Sequence, residues 1–344
     1  MRKFLIASKD TSIYQSYPTH NAGLDEILEI GKVVDSTLLI PSYVSSSARA
    51  ILSFDLPTTA SVPATASYFL NLRVATAKDI HRNQEILVQL VSQSWTEGSG
   101  YFYQDIQNVN DGATWSQVNS TTSWSMDGGS VLPSPTASVE LSVYPLEDVR
   151  LDVTTLIQPF VSQSRQYEFH GLLIQFPSTD EVNEDNEGIF RIFSTNTHTI
   201  YAPTLEIAWN NQSYITGSVL EPAPSLDVKI VPTNVQEKYV QGDVSRIYLT
   251  VRDEYPTRAF DATLRYANKY YLPSSSYYSI VDSRSNMEVI PFDSYSLVDC
   301  DESGMYIDLD TTPLYKGRFY TLKLQIVSGS FRKTLDTNTL FKIV

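Results

Sequence analysis

Hydrophobic residues recur at every second position wherever a pattern is legible, and that period limits what the chain can become. Successive side chains of an extended strand point to opposite faces, so an apolar run at i, i+2 and i+4 lines one face of a sheet. Ala50, Leu52, Phe54 and Leu56 point one way, with Ser53 and Asp55 opposite. Tyr68, Leu70, Leu72 and Val74 repeat the arrangement, with Asn71 and Arg73 on the other face. Ile86, Val88 and Leu90 follow, then Val139, Leu141 and Val143, Leu172, Ile174 and Phe176, and Leu205, Ile207 and Trp209. Farther on come Leu226, Val228 and Ile230, then Ile247, Leu249 and Val251, then Tyr320, Leu322, Leu324 and Ile326, and finally Phe341 and Ile343. Clusters of Gly, Pro, Asn, Asp and Ser separate the runs, as in sandwiches and barrels built of short strands. Helical signal is confined to Thr154–Val161, a turn or two with Thr154 as cap and Pro159 to interrupt anything longer.

The length of 344 residues suits two domains, each large enough to bury a core. Gly217-Ser218-Val219-Leu220-Glu221-Pro222-Ala223-Pro224-Ser225 is a Pro-rich, extended stretch. It places one domain at 1–213, a linker at 214–225 and a second domain at 226–344, where about seven strands in roughly 120 residues suit an immunoglobulin-like sandwich. The expected fold is all-β: a jelly-roll-like β-sandwich followed by a smaller immunoglobulin-like one.

One segment breaks the alternation. Trp95-Thr96-Glu97-Gly98, Asp111-Gly112-Ala113-Thr114-Trp115, Trp124 and Gly128-Gly129 put three of the four tryptophans into a polar, glycine-rich stretch. Either the rings fold back to plug the end of a sandwich, or they face out as a stacking platform for a ligand. Packing is favoured for most of them, because surfaces rarely carry large apolar patches. With Tyr101, Phe102 and Tyr103 beside them, Trp95, Trp115 and Trp124 are the candidates for stacking on sugar rings or for an interface. In the second domain Tyr266, Tyr270, Tyr271, Tyr277 and Tyr278 crowd around Pro273-Ser274-Ser275-Ser276. They either form a docking surface or cover a sheet edge.

The ordered set of these elements resembles the DNRLRE-type domain, a β-sandwich related to polysaccharide-binding modules. The match runs from Asp10-Thr11-Ser12-Ile13-Tyr14 through Arg49-Ala50-Ile51-Leu52-Ser53-Phe54-Asp55-Leu56 and the tryptophan stretches. It continues in Leu151-Asp152-Val153-Thr154, His170-Gly171-Leu172-Leu173-Ile174, Phe193-Ser194-Thr195 and Ala202-Pro203-Thr204-Leu205-Glu206-Ile207, and reaches Trp209. The last third is similar to sandwiches of tailed-bacteriophage structural proteins. There the match rests on Tyr277–Asp282, Val289–Asp293, Gly317–Tyr320 and the ending Phe331–Val344. These resemblances imply a virion protein in the neck, tail, baseplate or fibre attachment, docking to other virion proteins in multiple copies. The alternative they imply is a module for a cell-surface polysaccharide.

Charge and chemistry narrow the classes. A formal net charge of −14 without clustered Lys and Arg disfavours nucleic acid. The single cysteine, Cys300, excludes an intramolecular disulfide. Met1-Arg2-Lys3-Phe4-Leu5-Ile6-Ala7 starts like a signal peptide, but Ser8-Lys9-Asp10-Thr11 ends its apolar run too early, and no stretch reaches the ~20 apolar residues that span a bilayer. The expected setting is a virion assembled in host cytoplasm. His20, His81, His170 and His198 lack metal-ligand spacing. Asp180-Glu181-Val182-Asn183-Glu184-Asp185-Asn186-Glu187-Gly188 offers oxygen ligands for Ca2+ but departs from the Asp-x-Asp-x-Asp-Gly register, and a solvated hairpin explains it equally well. Glu97 is the one candidate acid for glycoside cleavage, and a loop carboxylate bonding backbone amides is the favoured reading. No nucleophile elbow or phosphate-binding glycine loop occurs, so the expectation is a protein that is not an enzyme.

Overall fold

The computed structural model describes residues 1–34, 45–57, 62–80, 83–101, 109–142, 146–164, 168–182, 188–217, 220–223, 225–255 and 270–344. Two compact units divide it: Phe4–Ile207, and a second made of Met1–Lys3 with Ala208–Val344. Both are built of β-strands paired almost wholly antiparallel.

In chain order the first sandwich comprises β1 (Arg2–Ile6), β2 (Lys9–Tyr14), β3 (Ile27–Val34), β4 (Ser45–Ser53), β5 (Ser67–Leu72), β6 (Val74–Lys78), β7 (Gln84–Val91) and β8 (Val131–Leu141). Next come β9 (Val149–Asp152), helix α1 (Thr154–Val161), β10 (Leu172–Gln175), helix α2 (Ser178–Val182), β11 (Gly188–Phe193) and β12 (Thr204–Ala208). A four-stranded sheet runs β1-β12-β5-β9. An eight-stranded sheet runs β6-β11-β3-β4-β10-β7-β8, with β2 also paired to β4. Alternation in the sequence is alternation in space: Tyr68, Leu70 and Leu72, Ile86, Val88 and Leu90, and Leu172 and Ile174 are all buried.

Three local readings change. Val74 does not continue the run of Tyr68, Leu70 and Leu72, because the chain leaves the smaller sheet at Arg73 and enters the larger one as β6, beside β11. Thr154 is the first residue of α1, not its cap. Its Oγ1 accepts the Tyr68 amide at 2.9 Å, while its own amide donates to Asp152 Oδ1 at 2.9 Å. Ile51 and Leu173 lie directly opposite each other in the ladder and are buried as deeply as Leu52 and Leu172, although they face the other way. The larger sheet is therefore covered on both faces, and the uninterrupted runs Ala50-Ile51-Leu52 and Leu172-Leu173-Ile174 are its trace in the sequence.

The second sandwich contains β13 (Glu221–Pro222), β14 (Val228–Pro232), β15 (Lys238–Tyr239), β16 (Val244–Asp253), β17 (Tyr270–Tyr271) and β18 (Ser276–Asp282). It finishes with β19 (Glu288–Ile290), β20 (Asp299–Asp301), β21 (Gly304–Asp310), β22 (Phe319–Ser328) and β23 (Phe331–Ile343). Sheets of order β14-β16-β21-β20 and β15-β23-β22-β18-β19 enclose a core of Val228, Ile247, Leu249, Val251, Ile280, Tyr320, Leu322, Leu324, Phe341 and Ile343. Each such burial removes enough apolar surface from water to contribute about 1.5–3 kcal/mol before entropy is counted. Part of the expected linker 214–225 belongs to this unit: Ile215 donates its amide to Cys300 O and Ala223 to Tyr271 O. Residues 218, 219 and 224 of that stretch lie outside the described residues.

Candidate functional site

The tryptophan segment is a second hydrophobic layer laid on the larger sheet of the first unit. Trp95, Trp115 and Trp124 are 3%, 8% and 5% exposed, and they pack with Ile13, Ile51, Val91, Ala113, Val118 and Leu173. They cover a sheet face instead of plugging an end, for a simple reason: Ile13, Ile51 and Leu173 point away from the main core and need a cover. Burial of large rings requires their polar atoms to be satisfied. Trp95 Nε1 donates to His170 O at 2.7 Å, and Trp124 Nε1 donates to Thr114 O at 2.9 Å. Lys9 sits 4.2 Å from the centre of the Trp95 ring and Arg49 4.8 Å from that of Trp115. Rings so enclosed leave little surface for a sugar, which agrees with the packing favoured for most of them.

Loop backbone holds this layer in place. Asn21, buried, donates from Nδ2 to Glu97 O at 2.7 Å and to Ala113 O at 2.8 Å. Its Oδ1 accepts the amides of Gly23 at 3.2 Å and Gly100 at 2.8 Å. All four hydrogen-bonding positions of the side-chain amide are filled, so three chain segments meet at one residue. The glycines are what let them meet. A Cβ on Gly112 would overlap the backbone of Glu97 and Gly98, and one on Gly98, whose φ is +85°, would overlap the Asn21 side chain. Arg49 adds a further tie, donating to Gly128 O at 2.7 Å and to both carboxylate oxygens of Glu181 at 3.0 and 2.6 Å.

Beside this knot lies a group of titratable side chains: Asp10, Glu97 and Lys9. Asp10, 1% exposed, accepts the Thr195 amide at 2.8 Å and the Thr195 hydroxyl at 3.0 Å. Burial pushes its carboxyl up to about 7, the Thr195 bonds oppose that, and the nearby Glu97 charge adds to it. Glu97 Oε1 accepts the Asp10 amide at 2.9 Å, and burial raises this carboxyl too. Lys9 Nζ donates to Trp95 O at 2.6 Å, and its ammonium is disfavoured by desolvation. The candidate acid thus bonds a backbone amide.

The remaining candidates are dispersed. Tyr101 is 46% exposed at the rim of the knot, while Phe102 and Tyr103 lie outside the described residues. Tyr270 and Tyr278 are buried in the second core, where they stand with the sandwich and not on a docking face. Tyr270 donates to Asp253 Oδ2 at 3.1 Å. Tyr271 packs edge-on against Tyr214 at 6.5 Å, Tyr277 is half-buried and bridged to Leu297, and Tyr266 lies outside the described residues. Cys300 is buried in β20.

From the proposed Ca2+ loop, Asp180 accepts Gln84 Nε2 at 2.6 Å and Glu181 holds Arg49, so both already have protein partners. Residues 183–187 lie outside the described residues, and among the described residues no group of three or more His, Cys, Asp or Glu is placed to hold a metal. His20 packs edge-on against Tyr17, His198 lies 3.4 Å from Glu26, and His81 lies outside the described residues. Among the described residues no helix is long and apolar enough to cross a membrane. An open acidic depression of about 420 Å³ is lined by Asn83, Gln84, Glu85, Glu140 and Asp180, with Glu85 directly opposite Glu140 across β7 and β8. Sequence reading missed Asn21, Lys9 and Arg49 as the residues that fasten the tryptophans. Apart from Gly23, their partners here are 76 to 132 positions away, and nothing in the local sequence marks them.

No protein-family model and no curated protein matches this chain. Among solved structures it is similar to a DUF4785 family protein from Legionella pneumophila, at 10% identity and a TM-score of 0.20, covering 100% of this chain and 61% of that one. It is also similar to the β-glucuronidase of Parabacteroides merdae, at 10% identity and a TM-score of 0.19, covering 98% of this chain and 35% of that one. The chain thus spans less than two thirds of either protein, and likenesses this low carry no argument about its activity.

Proposed function

We propose that this chain is a non-catalytic attachment protein, a structural or adaptor subunit of a tailed-bacteriophage particle that docks to other virion proteins through sheet surfaces. The observation that carries the reading is the outward face of the β22–β23 ladder. Phe319 and Leu340 are 47% and 54% exposed, and Phe331, at the hairpin tip, is 71% exposed. Thr321 pairs with Leu340 and Phe319 with Lys342, which sets these four side chains on one face, with the Lys342 ammonium 5.4 Å from the Phe319 ring centre. Apolar side chains carried on paired strands require little backbone ordering on docking, which lowers the cost of association. The resemblance of the last third to phage sandwiches, read from the sequence, points the same way. Symmetric copies on a particle would multiply a modest single contact.

Mass spectrometry of purified particles from the phage encoding the chain tests this. The expected result is the wild-type chain at fixed stoichiometry and its loss from particles when Phe319 and Leu340 are both changed to Ser. A chain absent from particles overturns the reading. Among the described residues of its original set, the polysaccharide alternative keeps one exposed ring, Tyr101. Glycan-array binding that disappears in Tyr101→Ala would favour it.

A further inference from the structure

We propose that Asp10, Thr195 and Glu97 form a proton-operated latch, which fastens the tryptophan loop to the sandwich when Asp10 is protonated and slackens it when Asp10 ionises. The argument begins with placement. Asp10 lies on β2, its backbone amide is tied to Glu97 of the loop, and its carboxyl is tied to Thr195 of the segment joining β11 to β12. One residue thus joins three parts of the first unit.

The charges around it make that junction sensitive to a proton. A carboxylate removed from water needs a cation or several donors to remain ionised. Asp10 receives two hydrogen bonds, both from Thr195. The cation next to it in sequence, Lys9, is turned away to Trp95 O and the indole ring, where the charges of Glu97 and Asp55 act on it. The ladder partner of Asp10 on β4 is Leu52, and the segment carrying Thr195 offers the neutral Ser194 and Asn196. The charge that bears on Asp10 is therefore Glu97, of like sign. Ionisation of Asp10 places two carboxylates on either side of one backbone hydrogen bond, and relief of that repulsion moves the loop outward.

The sign follows from proton binding. Burial holds the folded-state carboxyl at about 7, above its ordinary value of 3.8. The folded state therefore binds the proton more tightly than the unfolded chain does. The stability this provides is complete below the ordinary value and is lost as pH rises through the folded one.

Hydrogen–deuterium exchange of residues 95–100, corrected for the intrinsic rate at each pH, tests the latch in the full-length chain. Protection is expected to fall about ten-fold or more between about pH 6 and pH 8.5. Asp10→Asn retains both contacts, its oxygen accepting the Thr195 amide and its NH2 donating to the Thr195 hydroxyl. It is expected to stay protected throughout. Thr195→Val removes a donor that favours the anion and shifts the wild-type midpoint upward; this arm stands even if Asp10→Asn does not fold. Flat protection in the wild type, a surviving transition in Asp10→Asn or an unshifted midpoint in Thr195→Val each overturns the latch.

Discussion

The two sandwiches place their aromatic side chains in opposite ways. In the first, three tryptophans from an irregular segment are drawn inward, with Asn21 gripping the backbone around them. In the second, Tyr270 and Tyr278, from the tyrosines that crowd the sequence around Pro273, are buried in the core, while Phe319 and Leu340 on regular strands face solvent. An aromatic-rich loop is thus no guide to which rings are exposed, and a plain strand can expose one. What separates the cases is the company the rings keep. Glycines and a saturated amide allow backbone to close over a ring, whereas strand parity alone decides which way Phe319 points.

The sharpest way to break this contrast is Trp124→Ala. If the ring belongs to a core layer, its loss costs about 3–5 kcal/mol in chemical denaturation. A loss below about 1 kcal/mol would return it to the surface. Asn21→Ala comes next. It strips partners from two carbonyls and two amides in a buried setting, and about 2–3 kcal/mol of destabilisation is expected in the same assay. In the second unit Tyr320→Phe removes the hydroxyl that accepts the Tyr315 amide at 2.8 Å. Calorimetry should read about 1 kcal/mol, since that bond and the long one the hydroxyl donates to Tyr315 O at 3.5 Å, both neutral, are lost with the ring left in place. The smallest effect on stability belongs to the Phe319→Ser, Leu340→Ser pair, expected within about 0.5 kcal/mol of wild type. That pair should nonetheless abolish incorporation into particles. A large destabilisation instead would show that these residues serve the sandwich and not an interface.

Most of the fold was legible because period two is a direct imprint of strand geometry. Tyr320, Leu322, Leu324 and Ile326 are buried in the order in which they alternate. Less legible was anything set by contacts far apart in sequence. The two-faced burial of β4 and β10 left a readable sign in Ala50-Ile51-Leu52 and Leu172-Leu173-Ile174, yet that sign does not reveal what covers the second face. The polar fastenings left none: Lys9 reads as an ordinary strand lysine and Asn21 as an ordinary turn residue. Thr154 beside a helix reads as a cap on propensity. The Tyr68 amide, 86 positions away, competes for its hydroxyl and wins.

The grip of Asn21 also bears on how this protein tolerates change. Its four partners are main-chain atoms, so the path of the segment does not depend on which side chains the segment carries outward. Exposed positions such as Thr96, Ser120 and Met126 are free to drift or to accept grafted sequences. Gly98 and Gly112 are not. The knot is in effect a frame with replaceable panels, and diversification libraries built on this chain belong on those panels.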